Sequence, residues 1–257
     1  MARAALQRLA VVLGALALWQ LAVVVFKMPA YLLPLPFVVA QKFALLAGSA
    51  ELSRHIAATL TEVLAGSAIG AAAGLLCGWL FARIPLLGRL LSPLILLLQT
   101  APKIAIAPLL LLWLGLGLGP KVVLIAIVAF FPVMAGTVAG LSGVDKSYRD
   151  LARLLKLSAW TRFRRIELPF AAPPVFAGLK IASTQAMTAS VVGELMGATY
   201  GLGYLLSLGQ ENNDAGVVIA AILMLCVMGW ALHEAVRLTE RRLLGWHESQ
   251  IIQEAAG

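Results

Sequence analysis

Six apolar runs, at about 9–26, 56–81, 90–114, 122–141, 173–196 and 215–236, take up most of this chain and fix the solvent it must fold in. Each is close to the length a helix needs to cross a hydrocarbon layer of about 30 Å. Apolar residues are 61% of the 257, against about half in soluble domains, and the charged 12% is clustered between the runs. The expected fold class is an all-α membrane protein of about six transmembrane helices in a single domain, 1–257. Arg3 and Arg8 precede the first run, and Ala15-Leu16-Ala17 resembles a leader-cleavage site. The run continues well beyond that point, so an uncleaved first helix is expected.

Prolines 29, 34 and 36 break the chain before a short amphipathic segment at 37–46. In the second run Gly66, Gly70, Gly74 and Gly78 recur every four residues, a small-residue stripe suited to close helix packing. The third run is interrupted by Gln99-Thr100-Ala101-Pro102-Lys103. The fifth is expected to begin near Pro173-Pro174, since proline suits a helix's first turn. A basic tail occupies 237–257. Cys77 and Cys226 lie inside apolar runs and read as packing residues.

Charge asymmetry orients the chain. With both termini cytoplasmic, 14 of the 20 Lys and Arg fall inside and four outside (Lys27, Lys42, Arg54 and Lys121), with Lys103 and Lys180 within spans. That bias predicts an N-in, C-in topology, and it accounts for the net charge of +8 without nucleic acid. The string Gly115-Leu-Gly-Leu-Gly-Pro-Lys121 is not a phosphate loop: Pro120 separates glycine from lysine, and Val122 stands where the hydroxyl belongs. His55, His233 and His247 lack metal-site spacing. No nucleophile has a base beside it, so the chain is not expected to be an enzyme.

The one long polar stretch, Asp145 to Pro169, reads as two short amphipathic helices. Ser147 and Asp150 form a capping box for the first. Tyr148, Leu151, Ala152 and Leu155 share one of its faces. Ser158 caps the second, which carries Trp160, Phe163 and Ile166 and is expected to stop at Leu168-Pro169. Such a pair either lies in the bilayer interface or docks in a groove of a soluble subunit.

This stretch resembles the EAA loop of ABC importer permeases: Asp150-Leu151-Ala152 takes the Glu-Ala-Ala position, and Ile166-Glu-Leu168-Pro169 the Ile-x-Leu-Pro ending. The wider chain is similar to the nitrate/taurine/alkanesulfonate branch through Leu32-Leu-Pro-Leu-Pro36, the run 107–117, Phe130-Phe-Pro132 and the run 191–204. Lys156 stands where the family has glycine. A left-handed lysine costs on the order of 1 kcal/mol, so an altered turn is expected, the alternative being a compensating contact on the partner. Asp150 in place of glutamate is expected to keep a carboxylate near the helix N-terminus.

The resemblance implies a type I ABC importer (MetI-like) permease fold in the bacterial inner membrane, working as a homodimer with the substrate path between its copies. It implies two cytoplasmic ATPases docked on 145–169, a periplasmic binding protein, and no cofactor on this chain, since ATP and magnesium belong to the ATPase. The implied coupling residues are Asp150, Leu151, Ala152, Leu155, Lys156, Ser158, Ile166, Leu168 and Pro169. Charge within spans is costly, so Lys103 and Gln99, at the broken third run, are candidates for the pathway and Glu194 for an outer gate. Lys180 is expected to snorkel inward. Nitrate, taurine, sulfonates, aromatic carboxylates and vitamin precursors all remain open as substrates. An ion-coupled secondary transporter is disfavoured by the scarcity of mid-span acids, and a non-transporting membrane scaffold is the third possibility.

Overall fold

With no water in hydrocarbon to satisfy backbone groups, a spanning chain must close its hydrogen bonds within helices. The computed structural model describes residues 2–245 and is helical almost throughout. Helix α1 covers Ala2–Val25, and Trp19 Nε1 donates to the Pro34 carbonyl (3.1 Å) across the turn that follows. Helix α2 is Pro36–Ala47, with proline in its first turn. Helix α3 runs Ala50–Arg83, capped by Ser49, whose hydroxyl accepts the Leu52 N–H at 3.3 Å.

The third apolar run is two helices, α4 (Pro85–Thr100) and α5 (Lys103–Leu114). Pro102 forces the break: the residue before proline is pushed out of the α region, and Ala101 sits at φ −54°, ψ 139°. Gly115 (φ 75°) and Gly117 (φ 130°) make the turn into α6, Leu118–Ser142. Next come α7 (Lys146–Leu154), α8 (Ala159–Arg162), a π-helical turn (Phe163–Glu167) and α9 (Leu168–Leu195). Two more helices, α10 (Leu202–Glu211) and α11 (Ala215–Leu244), complete the described chain.

Helix α6 is the centre, packed along α3 on one side and α9 on the other. The glycine stripe makes the first contact: Gly66, Gly70, Gly74 and Gly78 are all buried against α6. A β-carbon on Gly74 would sit 2.7 Å from the Phe130 carbonyl oxygen, and one on Gly78 2.6 Å from Thr137 Cβ. The α6–α9 crossing is reciprocal. Gly136 of α6 faces the Pro174 carbonyl, while Gly178 of α9 faces the Pro132 carbonyl. Helix α1 touches little besides α2 and displays Leu6, Val11 and Leu18 on its surface.

Among the described residues, four helical stretches are long and apolar enough to cross a membrane: Ala50–Arg83, Leu118–Ser142, Ala159–Leu195 and Ala215–Leu244. The chain is an all-helical membrane protein. Several expectations change. The second loop helix does not stop at Pro169, and the fifth span does not begin at Pro173. One continuous helical stretch runs from Ala159 to Leu195, with Pro169 in the first turn of α9 and Pro173 and Pro174 inside it. The segment 197–214 holds a helix, α10, that its glycines concealed. Of the basic tail, 246–257 lies outside the described residues.

Because α6 cannot retreat from both neighbours, Gly74→Val should destabilise the fold by about 1–3 kcal/mol, the usual cost of overpacking. The comparison is Gly14→Val, whose site is open. Thermal unfolding in detergent should show a drop for the first and none for the second.

Candidate functional site

Two assemblies of polar residues stand out, one at each end of α9. The first is the 145–169 loop. Its N-cap is Asp145, not Ser147: Asp145 Oδ1 accepts the Ser147 N–H at 2.7 Å. That backbone hydrogen bond holds the Asp145 carboxyl below the usual carboxylate range. Asp145 therefore fills the dipole-favoured place expected of Asp150. Asp150 lies a turn further on and meets only Arg153, at 3.4 Å.

The end of α7 corrects a second expectation. Lys156 is left-handed, at φ 49°, so the turn is kept despite the missing glycine. Leu157 N–H donates to Ala152 O and Lys156 N–H to Arg153 O, both at 3.0 Å, the paired bonds of a Schellman cap. Ser158 caps α8 as expected, accepting the Thr161 N–H at 3.2 Å. Ala152 is buried and Tyr148 packs on Phe170 of α9, whereas Leu151 and Leu155 are exposed with Leu154 and Trp160.

Glu167, at the end of the π turn, fastens this loop to the bundle. It accepts two bonds from Arg83 at the end of α3 (3.2 and 2.5 Å) and one from Arg162 of α8 (3.0 Å). Arg149 donates to the Ser142 and Val144 carbonyls, closing the end of α6. Ile166 borders the small cavity these arginines surround. Leu168 is exposed, and Pro169 follows directly on the π-helical turn.

The second assembly lies at the other end of α9. Glu194 is buried and accepts the Thr59 hydroxyl and the Gly203 N–H, each at 2.5 Å. Thr59 in turn accepts the Leu202 N–H (2.9 Å), and His55 Nδ1 accepts the Gly201 N–H (3.1 Å). Three side chains from α3 and α9 thus satisfy the N–H groups that open α10, the donors no helix can pair internally. Beside them Lys121 donates to Glu62 Oε1.

Of this cluster, Glu194 alone is a candidate from sequence; Thr59, Glu62 and the roles of His55 and Lys121 are not read there. Lys121, counted with the outer loops, is buried in the first turn of α6. Glu62 is the one acid inside the second apolar run, and that isolation was the available signal. Lys180 also has a partner, Glu240 near the end of α11, at 2.8 Å. Glu62, Glu194 and Glu240 are buried acids within long helices, so the scarcity of such acids no longer counts against ion coupling.

Between the two assemblies, the α4–α5 break and the faces of α6 and α9 line a cavity of about 350 Å³. Gln99, Ala101 and Pro102 form one wall, with Leu124, Val128, Gln185 and Thr188 opposite. Gln185 Oε1 is buried and has no hydrogen-bond partner. Helix α5 opens at Lys103, whose side chain lies outside the described residues.

Two substitutions test these local structures. Thr59→Val keeps the shape but orphans the Leu202 N–H, and should lower stability by about 1–3 kcal/mol, read as a fall in melting temperature. At the α7 cap, Lys156→Gly should slow amide exchange across α7, while Lys156→Val, β-branched at positive φ, should speed it.

Similarity to known proteins accords with these features. Residues 70–245 match the family described as binding-protein-dependent transport system inner membrane component. The chain is 33% identical to a putative aliphatic sulfonates transport permease, SsuC, of Bacillus subtilis (strain 168), over 91% of this chain and 85% of that one. It is 32% identical to the riboflavin transport system permease RibX of Chloroflexus aurantiacus, over 91% and 87%. It is 30% identical to the taurine transport system permease TauC of Escherichia coli (strain K12), over 89% and 85%. Among solved structures, an inward-facing MetNI methionine ABC transporter superposes with a TM-score of 0.65 at 20% identity, covering 74% of this chain and 95% of that one. The chain belongs to the binding-protein-dependent transport system inner membrane components: it is a multi-pass inner-membrane permease of an ABC importer, and ATP hydrolysis is the work of a separate ATPase subunit.

Proposed function

We propose that this permease imports a small sulfonate-like anion as a homodimer, with two cytoplasmic ATPases seated on the paired 145–169 loops and a periplasmic binding protein delivering solute to the opposite face. In this reading α1 and the α4–α5 pair complete six spans, with both termini inside. The structure leaves Lys121 buried, which reduces the outer basic residues to Lys27, Lys42 and Arg54 and strengthens that orientation.

The observation that carries the docking role is a set of large apolar side chains held out from the loop. Leu154 is 81% exposed and Trp160 68%, with Leu151 and Leu155 beside them. Trp160 sits on a stretch continuous with a spanning helix, and Leu151, Leu154 and Leu155 on the capped α7 that precedes it, a geometry suited to insertion into a partner's groove. Asp150, Ala152, Lys156, Ser158, Ile166, Leu168 and Pro169 shape this platform. ATP and magnesium stay on the ATPase, and this chain binds no cofactor of its own.

Solute would pass through the cavity beside the α4–α5 break. Gln99 supplies a neutral polar contact there, and Lys103 is assigned the attraction for an anion. Glu194 would hold the 197–203 turn closed on the outer side. The sulfonate class is supported by the names of two of the similar permeases. Family membership removes the secondary transporter and the scaffold as readings of the whole chain.

Co-purification with its cognate ATPase subunit tests the docking role. Leu154→Glu places a charge in the groove contact and should cut recovered ATPase at least about tenfold, the effect of roughly 1.4 kcal/mol. Undiminished recovery would remove the loop from the interface. Taurine and alkanesulfonates, supplied with the binding protein in liposomes, should stimulate hydrolysis by the wild-type complex.

A further inference from the structure

The charges buried where α3, α6 and α9 meet do not balance. Glu62 is 2% exposed, Glu194 1% and Lys121 8%, so two carboxyl groups share one ammonium. Lys121 occupies Glu62 Oε1. Glu194 is occupied by Thr59 and the Gly203 N–H, one on each oxygen. Glu62 Oε2 is sealed from solvent and accepts no hydrogen bond from the described residues. Glu194 meets α3 at Thr59, three residues before Glu62 and on the same helix face, so the two carboxyl groups are neighbours. If both acids were ionised, a helix bundle in hydrocarbon would hold a net negative charge and an unpaired charged oxygen, two of the costliest things such an interior can contain.

We propose that a single proton sits between Glu62 Oε2 and the Glu194 carboxylate, so that Glu62, Lys121 and Glu194 form a neutral, specific proton-binding site. The proton fills the orphaned position, because a protonated oxygen is a donor and Glu194 has acceptor capacity beyond its two bonds. It comes from water and returns to water, with no other bond made or broken. The remaining titratable groups nearby do not fill this role. His55 accepts the Gly201 N–H on Nδ1, so that nitrogen carries no proton, and its ring packs between Tyr200 and Tyr204. From the start of α10 the cluster meets backbone N–H groups, those of Leu202 and Gly203. Lys121 and Glu194 are the charges facing Glu62 from α6 and α9.

A way in and out exists. A cavity of about 360 Å³ is lined by Glu62, Lys121, Gly117, Thr199 and Tyr200, away from the 145–169 loop. The consequence falls on the 197–203 turn. With the proton in place, Glu194 keeps its charge for Gly203 and Thr59 while Glu62 stays neutral beside it. Without it, two anions repel across the joint that fixes the start of α10. The site thus ties proton availability on that face to the hold on the turn. This rests on α3, α6 and α9 spanning the bilayer and on no particular substrate.

Infrared difference spectroscopy of the full-length permease in lipid nanodiscs, between mildly acidic and alkaline buffer, reads the proton directly. Wild type should show the carbonyl band of a protonated carboxylic acid that disappears on alkalinisation. Both Glu62→Gln and Glu194→Gln should lack it, since either leaves one carboxylate for one ammonium. Glu240→Gln, in the ion pair with Lys180, should retain it. Absence of the band in wild type, or its survival in both Gln variants, overturns the assignment. So does failure of Glu62→Gln to fold, because Gln reproduces the neutral state at that position. A wild type without the band that melts higher in sodium chloride than in choline chloride would place a metal cation there instead, and also overturns it. Amide exchange of α3 and α6 in the same nanodiscs reports separately whether those helices span.

Discussion

Backbone-to-backbone approach of α6 to both α3 and α9 is the contact from which the rest of the molecule follows. Lipid tails are as apolar as leucine, so burial alone gives spanning helices little reason to associate, and close packing must do it. Here the approach is made possible by four glycines on α3 and, across the α6–α9 crossing, by Gly136 and Gly140 of α6 and Gly178 of α9. Once three helices are that close, their polar residues can reach one another. Lys121 reaches Glu62, and Glu194 reaches Thr59, just beyond the end of the glycine stripe.

The same packing explains how one helix serves two ends of the molecule. The stretch from Ala159 to Leu195 is 37 residues, roughly 55 Å at 1.5 Å per residue. At one end Glu167 is gripped by Arg83 and Arg162; at the other Glu194 grips the start of α10. Between them Gly178 is locked against Pro132. A load applied at the loop is therefore carried by a stiff element whose middle is pinned, and rocking about the middle moves the two ends in opposite directions.

What could be read from the sequence followed periodicity and local chemistry. The four-residue repeat of glycines, the Ser158 cap and the break at Pro102 are written within a few neighbouring residues, and each is found as read. Features set by distant partners were not legible. Lys121 next to a glycine-rich turn looks like a loop lysine until Glu62, 59 positions away, is brought against it. Pro169 reads as a helix end and Pro173-Pro174 as a helix start, yet one helical stretch runs through all three. Lys156 shows the limit of propensity. Two backbone hydrogen bonds and the Ser158 cap one residue beyond Leu157 hold a conformation that the residue alone disfavours. The loop's form was thus partly legible, and of the buried charge cluster only Glu194 was.

The π-helical turn at Phe163–Glu167 also sets an angular relation. A helix advances 100° per residue, and a π turn accommodates one residue more than the α repeat allows. The face that α8 presents and the face that α9 buries are therefore offset from where an uninterrupted α-helix would put them. Removing one residue between Arg162 and Leu168 would rotate Trp160 and the exposed end of the loop by about 100° relative to the membrane-embedded part. Every apolar residue could be kept, yet the loop would point the wrong way. The rotational register of this short segment, as much as its composition, determines which direction the platform faces.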